Sequence, residues 1–258
     1  MPIIEDLLAS LREDRPVQDV CIGAFWTAVV SSRCGLASTL RDDDHCHRGP
    51  VREAGHLLER SALELSTMVR SNSLLEASIG MAAINSLLEV DENLCIELNA
   101  EELIRERGTG KQVAIVGHFP FTPRIRDWAR QLWVLELKPR GDELPAEQAP
   151  AVLPQADVVA ITGTSLINHT FDKLMALCRP DAFVVVLGAS TPLSPLLFEY
   201  GVHAIAGTVV MDNQAVLRCV SQGATFPQLA GVRLLTMLKG KTEGTRSCTR
   251  ERSIRGEE

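Results

Sequence analysis

The chain has 258 residues, of which 45% are apolar and 23% charged, with a formal charge of −7. That apolar share supplies a real core and excludes a globally disordered chain. The acidic balance argues against nucleic acid or an anionic membrane as the main partner, because both ask for a clustered basic surface.

Every apolar run is cut by Pro, Gly or charge before it reaches membrane-spanning length. The acidic start Met1-Pro2-Ile3-Ile4-Glu5-Asp6 lacks the basic and apolar regions of a signal peptide. Seven cysteines at irregular spacing, with no Cys-x-x-Cys pair, read as free thiols in a reducing compartment. A cytoplasmic location is the expectation.

In chain order, Ile3, Ile4, Leu7, Leu8 and Leu11 have helical spacing, and Pro16 closes that helix. Residues 20–30, rich in Val, Ile, Phe and Trp, predict a strand. Residues 34–40 predict a second, so a β-hairpin packed on helices is expected. Leu58, Ala62, Leu65 and Val69 form one apolar helical stripe. A further helix opens at Ser73-Leu74-Leu75-Glu76, where Ser and Glu can each satisfy an orphan amide. A domain boundary is expected near residue 98, giving a smaller α+β domain over 1–98.

From Asn99 to Arg107 the pattern is a capped helix, closed by Gly108-Thr109-Gly110. Strands and helices then alternate: strand 113–116, helix 124–131, strand 132–137, a Pro-rich loop 139–154 and strand 157–161. Asn168 is expected to cap a helix to about 178, followed by strand 183–187, helix 194–200 and a last strand 202–210. Repeated βα units predict an α/β domain over 99–240 built on a parallel sheet with helices on both faces. The polar tail 241–258 reads as disordered.

The candidate chemistry clusters where predicted strands end, the edge at which open α/β sheets bind ligands. His118 follows strand 113–116 and can ligate a metal, shuttle a proton or simply order a loop. Phe119 and Phe121 wall an apolar pocket or join the core. Glu136, 19 residues after Gly117, sits where a ribose-binding carboxylate would. The Gly-x-Gly-x-x-Gly needed for a dinucleotide is missing, so tight NAD, NADP or FAD binding is not expected. Glu136 is then a group for a polar ligand or a metal, or a salt-bridge partner of Lys138.

Thr162, Thr164 and Asn168 after one strand, and Ser190 and Thr191 after the next, offer hydroxyls and amides to an anionic or oxygen-rich ligand. Ordinary helix capping is the plainer alternative for both. Asp212 either completes the crevice or caps the helix that follows. The run Asp42-Asp43-Asp44-His45-Cys46-His47 has metal-binding residue types. Adjacent residues cannot all face one ion, which favours a solvated loop there. No Gly-x-Ser-x-Gly elbow, Walker loop or His-Glu-x-x-His is found.

At these residues the chain resembles the heavy-metal chelation family, a group of largely uncharacterised proteins. The resemblance is carried by Gly23 to Val29, Cys34-Gly35-Leu36-Ala37, Ser78 to Asn85 and Val116 to Phe121. It continues through Glu136 to Pro139, Thr162 to Asn168, Ser190 to Pro195 and Gly201 to Asp212. Ala189 stands where the family pattern has proline, and the run 42–47 lies outside that pattern.

The resemblance implies an enolase N-terminal-like α+β domain followed by a Rossmann-like domain, with a site between them for a heavy metal or metal complex. On this reading His118, Glu136 and Asp212 are candidate metal ligands, for a metal ion of unspecified identity. Thr162, Thr164, Asn168, Ser190 and Thr191 would hold anionic oxygens, and Phe119 and Phe121 would line the crevice. A binding or chelation protein is favoured over an enzyme acting on a small polar substrate. The partner is a small molecule or metal complex, neither nucleic acid nor membrane, with homo-oligomerisation left open.

Overall fold

The computed structural model describes residues 2–41 and 51–240. The run Asp42–His47 and the tail 241–258, both singled out above, lie outside the described residues.

Helix α1 (Pro2–Ser10) buries Ile3, Ile4 and Leu7. The predicted strand 20–30 is two strands, β1 (Asp19–Ile22) and β2 (Trp26–Val30), reversed at Gly23, whose N–H donates to the Trp26 carbonyl at 2.8 Å. With β3 (Cys34–Ser38) they form a three-stranded antiparallel sheet, β1-β2-β3, rather than a single hairpin. Helix α2 (Ala62–Ser66) carries a capping box from Ser61 and Glu64 and runs into a 3-10 turn, Thr67–Arg70. Helix α3 (Leu74–Leu87) starts at the predicted cap, the Ser73 side chain accepting from Glu76 N–H. It buries residues from Glu76 to Ile84 all round, as a helix does when covered on every side.

Chain order then runs β4 (Cys95–Ile96), α4 (Ala100–Gly108), β5 (Gln112–Val116), α5 (Thr122–Ile125) and β6 (Gln131–Glu136). It continues with β7 (Leu144–Pro145), α6 (Ala149–Val152), β8 (Val158–Thr162), α7 (Thr164–Ile167), α8 (Phe171–Leu177) and β9 (Phe183–Leu187). A 3-10 segment Pro195–Tyr200, β10 (Ala204–Val210), α9 (Asn213–Ser221) and β11 (Val232–Leu238) complete it.

Eight of these strands form one sheet in the order β4-β11-β10-β9-β8-β5-β6-β7. Strands β7, β6, β5, β8, β9 and β10 are parallel neighbours, whereas β11 and β4 join antiparallel at one edge. The protein is therefore mixed α/β with a large, mostly parallel sheet. Val113 and Ile115 pack on one face with Leu103, Ile104 and Ile125, while Ala114 packs on the other with Val152, Leu153 and Leu174. This alternation follows the two-residue period of a strand with both faces covered.

Four local expectations change. The last strand is β11, not the segment ending at Val210. The helix expected over 124–131 is the short α5, begun early by Pro123 in its first turn and ended where Arg130 N–H bonds the Lys111 carbonyl at 2.9 Å. The helix expected from Asn168 to about 178 is α8, which begins only at Phe171 because His169, with φ 64°, separates it from the unexpected short helix α7. The segment 194–200 winds as a 3-10 helix.

The two halves share a core. One apolar cluster joins Ile3, Leu65, Ile79 and Ile84 to Phe171, Val186, Leu197 and Ile205. A second joins Ala28 and Leu36 to Val216 and Val220. Among the described residues no helix is long and apolar enough to cross a membrane.

Candidate functional site

Strands β5 and β8 are parallel neighbours whose continuations leave in opposite directions, towards β6 and β7 on one side and β9 and β10 on the other. Loops diverge at such a switch point and open a crevice beyond the carboxyl ends of the strands. A cleft of about 1290 Å³ lies there, bounded by the ends of β5, β6, β8 and β9, by β10 and β11, and by Trp26, Ser38, Leu40, Arg41 and Leu74 of the N-terminal half. Gly117 turns the chain out of β5 at φ 109°, and a Cβ there would come within 2.8 Å of the Thr162 side chain. Glycine is needed at this position for both reasons.

His118 lines the cleft with 62% of its side chain exposed. Its Nδ1 lies 3.0 Å from Oε1 of Glu143, a side chain only 11% exposed. The other carboxylate oxygen of Glu143 accepts the Arg140 backbone N–H at 2.8 Å. That N–H, together with His118, holds the Glu143 carboxyl below its usual range. The carboxylate fixes the imidazole and leaves Nε2 as the free ring position.

Glu136 also lines the cleft, and its carboxyl is pushed up, chiefly by burial and further by the Glu143 charge. The proton affinities of these two neighbouring carboxyls are thus shifted in opposite directions, Glu143 downward and Glu136 upward. Phe119 and Phe121 stack with centroids 5.2 Å apart and form part of the cleft wall.

The hydroxyl loops are more internally committed than their composition suggests. Thr162 and Thr164 line the cleft but share a hydrogen bond, Oγ1 to Oγ1, of 3.0 Å. Asn168 also lines it, at the end of α7, and its Oδ1 accepts from the Thr170 hydroxyl at 2.7 Å; it does not begin a long helix. Ser190 is buried, and its Oγ accepts Ser38 N–H at 2.8 Å and lies 3.0 Å from Ser38 Oγ. Ser190 therefore ties the β9 loop to β3 at the wall of the cleft. Thr191 is buried against Gly163, outside the cleft lining. Asp212 caps α9 by accepting Ala215 N–H at 3.0 Å and is likewise outside that lining.

His118 and Glu136 are thus brought together and Asp212 is not. Among the described residues no group of three or more His, Cys, Asp and Glu side chains has the arrangement to hold a metal ion. The five described cysteines, Cys21, Cys34, Cys95, Cys178 and Cys219, lie outside the cleft lining. Burial raises the Cys34 thiol to about 12 and Cys178 to about 11, with the Asp19 charge adding to the first. Such thiols stay protonated, and it is the thiolate that binds soft metals.

Sequence reasoning missed Glu143, hidden in a Pro-rich loop 25 residues from His118. It also missed Trp26 and Thr208, which line the far end of the cleft. The alternation around Trp26 marks it as a strand residue and says nothing of what it faces.

Residues 99–239 match the DUF364 family, described as "Putative heavy-metal chelation", and residues 4–88 match DUF4213, which carries the same description. The chain belongs to the DUF364 family. It is 26% identical over 226 residues to the uncharacterized protein MJ0500 of Methanocaldococcus jannaschii, covering 82% of this chain and 85% of that one.

Its fold matches the crystal structure of a DUF364 protein of unknown function from Desulfitobacterium hafniense DCB-2, with a TM-score of 0.80 and 26% identity. A second, PH1506 from Pyrococcus horikoshii, matches in fold with a TM-score of 0.79 at 20% identity. In both cases 92% of this chain and 98% of the other are covered.

Proposed function

We propose that the protein binds a metal ion as a complex with a small organic ligand in the cleft at the β5–β8 switch point. The observation that carries this reading is the mismatch between the cleft and a bare ion. About 1290 Å³ of largely apolar space is far more than an ion fills, and has room for an organic ligand. Among the described residues the cleft offers one well-oriented ring nitrogen, His118, and no thiol, where a protein cage for a heavy metal asks for several donors.

A chelate that brings most of its own ligands needs only one more. His118 Nε2 would supply it, with Glu143 holding the ring. Glu136 would accommodate a polar group of the chelator, and the Thr162–Thr164 pair would meet its oxygens. The family description supports metal handling as the general role.

Calorimetry with nickel(II) alone, citrate alone and nickel(II)–citrate tests this. The complex should bind saturably and much more tightly than either component, and His118→Asn should abolish the advantage of the complex. Bare nickel binding as tightly as the complex, or an unaffected His118→Asn variant, would overturn the reading.

The imidazole–carboxylate pair beside Glu136, whose proton affinity burial raises, also suits proton transfer. An enzyme acting on a small polar substrate in the same cleft is therefore the second reading. Native mass spectrometry of gently purified protein separates the two: a retained metal complex supports the first, a metal-free metabolite the second.

A further inference from the structure

The cleft is long compared with the His118 end just described. Strands β5 and β11 are four spacings apart in the sheet, roughly 19 Å at about 4.8 Å each. The far end is walled by Trp26 and Phe226, whose ring centroids lie 5.6 Å apart, and by β10 and β11. Phe226 lies between α9 and β11, so this aromatic pair sits on the side of the sheet away from His118. Ala206, Gly207 and Thr208 of β10 line the cleft there, with Gly207 closely packed on Leu193 and the Thr191 carbonyl.

Four polar side-chain atoms of the cleft-lining residues are buried without a hydrogen-bond partner, Trp26 Nε1, Thr208 Oγ1, Ser165 Oγ and Arg233 Nε; the last lies 2.8 Å from Glu97 Oε1 in an ion pair, which leaves three. Ser165 is completely buried. Leaving such a group unpaired costs about 1–3 kcal/mol, so three along one cleft call for a partner from outside the chain. They are linked structurally through one strap. Trp26 is the register partner of Ser38, which bonds Ser190; Gly163, two residues before Ser165, packs on Thr191; and Gly207, beside Thr208, packs on the Thr191 carbonyl.

The indole N–H can only donate, and both hydroxyls can donate. The indole N–H therefore asks for an acceptor, which the hydroxyls can also serve by donating, and the aromatic wall beside them favours a flat π-system, which gains from tilted or edge contacts with Trp and Phe. Arg41 and Lys173 line the same cleft and supply positive charge for an anionic acceptor.

We infer that the far end of the cleft is a subsite for an aromatic or conjugated ring bearing carboxylate or carbonyl oxygens. This deepens the proposed function by naming the organic part of the ligand, and ring binding here requires no metal. Trp26 donates from Nε1 to an oxygen on the ring system, Thr208 donates to the same edge, and Phe226 covers the ring.

The test is calorimetric or ligand-observed NMR titration of the full chain with benzoate and salicylate, with cyclohexanecarboxylate as the saturated control. The aromatic acids should bind saturably without metal and at least roughly tenfold more tightly than the saturated acid, given the added aromatic contact and retained hydrogen bonds. Trp26→Phe and Thr208→Val, which keep ring or volume but remove a donor, should each weaken benzoate binding roughly fivefold to tenfold, the worth of one hydrogen bond. Thr208→Ser should restore it, which separates a lost donor from a misfolded variant.

Equal affinity for benzoate and cyclohexanecarboxylate, no effect of Trp26→Phe and Thr208→Val, or no saturation of either aromatic acid by about 10 mM would overturn the subsite. Adding nickel(II) to the salicylate titration distinguishes the two proposals. A ring that binds without any gain from nickel leaves the subsite standing and removes the metal reading. Binding only with nickel and only through His118 removes the subsite.

Discussion

His203 shows how a single ring ties stability to pH. Its Nδ1 accepts the Val184 backbone N–H at 3.2 Å, so the ring has to be neutral with its proton on Nε2. Burial, followed by the charges of Lys239 and Arg107, lowers its proton affinity below that of an ordinary histidine. The folded state then holds fewer protons than the unfolded one in that range. The contribution of this ring to stability is therefore present above the unfolded value, about 6.5, and is lost as pH falls through the lower folded value. Urea melts from about pH 7.5 down to 5 should show stability falling, and His203→Gln should flatten part of that slope. An unchanged slope in the variant would assign the loss to other groups.

At the scale of elements, β3 lies against α3 closely enough for backbone to meet backbone. A Cβ on Gly35 would be 2.0 Å from the Ala82 carbonyl oxygen and 2.3 Å from Ser86 N. Neither atom is the end of a flexible side chain, so the strand and helix would have to move apart. Gly35→Ala should cost about 1–3 kcal/mol or more, read as a lower denaturation midpoint at unchanged slope.

The same contact explains what was readable here. The sequence Ser78 to Asn85, with Gly80, Ala82 and Ala83, signals a close approach, but the partner that approaches could not be named from it. The structure supplies two: β3 over Ala82 and Ser86, and Val69, whose backbone N would lie 2.0 Å from a Cβ on Gly80.

Across the whole molecule, the N-terminal half and the large sheet are joined by polar as well as apolar contacts. Ser190 Oγ meets Ser38 twice, Asn85 donates to the Leu36 and Ser190 carbonyls at 2.9 and 3.4 Å, and His169 Nε2 lies 2.7 Å from the Val69 carbonyl. With an apolar cluster shared between the halves, the protein should unfold in one cooperative transition. Ser190→Ala should lower stability by about 1 kcal/mol by removing the hydrogen bond to the part-buried Ser38 N–H. In a cycle with Ser38→Ala the effects should be non-additive by about 0.5 kcal/mol or more. Calorimetry showing two separated transitions would mean that the halves fold independently.

The sequence alone determined what depends on neighbours along the chain. The strand at residues 183–187 and the caps at Ser73 and Asn99 follow from side-chain period and from short polar side chains reaching nearby amides. The alternation of strands and helices after residue 110 made a parallel sheet the expectation, and His118 was visible because a titratable ring stood at a strand end.

Only tertiary structure decided the rest. Strands β4 and β11 belong to the sheet because β11 pairs antiparallel with β10 along seven residues, an arrangement that no βα alternation announces. Glu143 reaches His118 because the loop after β6 folds back, and Trp26 and Thr208 face one cleft because two sheets pack together. Local spacing acts over a few residues, whereas a cleft is made by groups far apart in sequence, brought together by burial of the apolar faces between them.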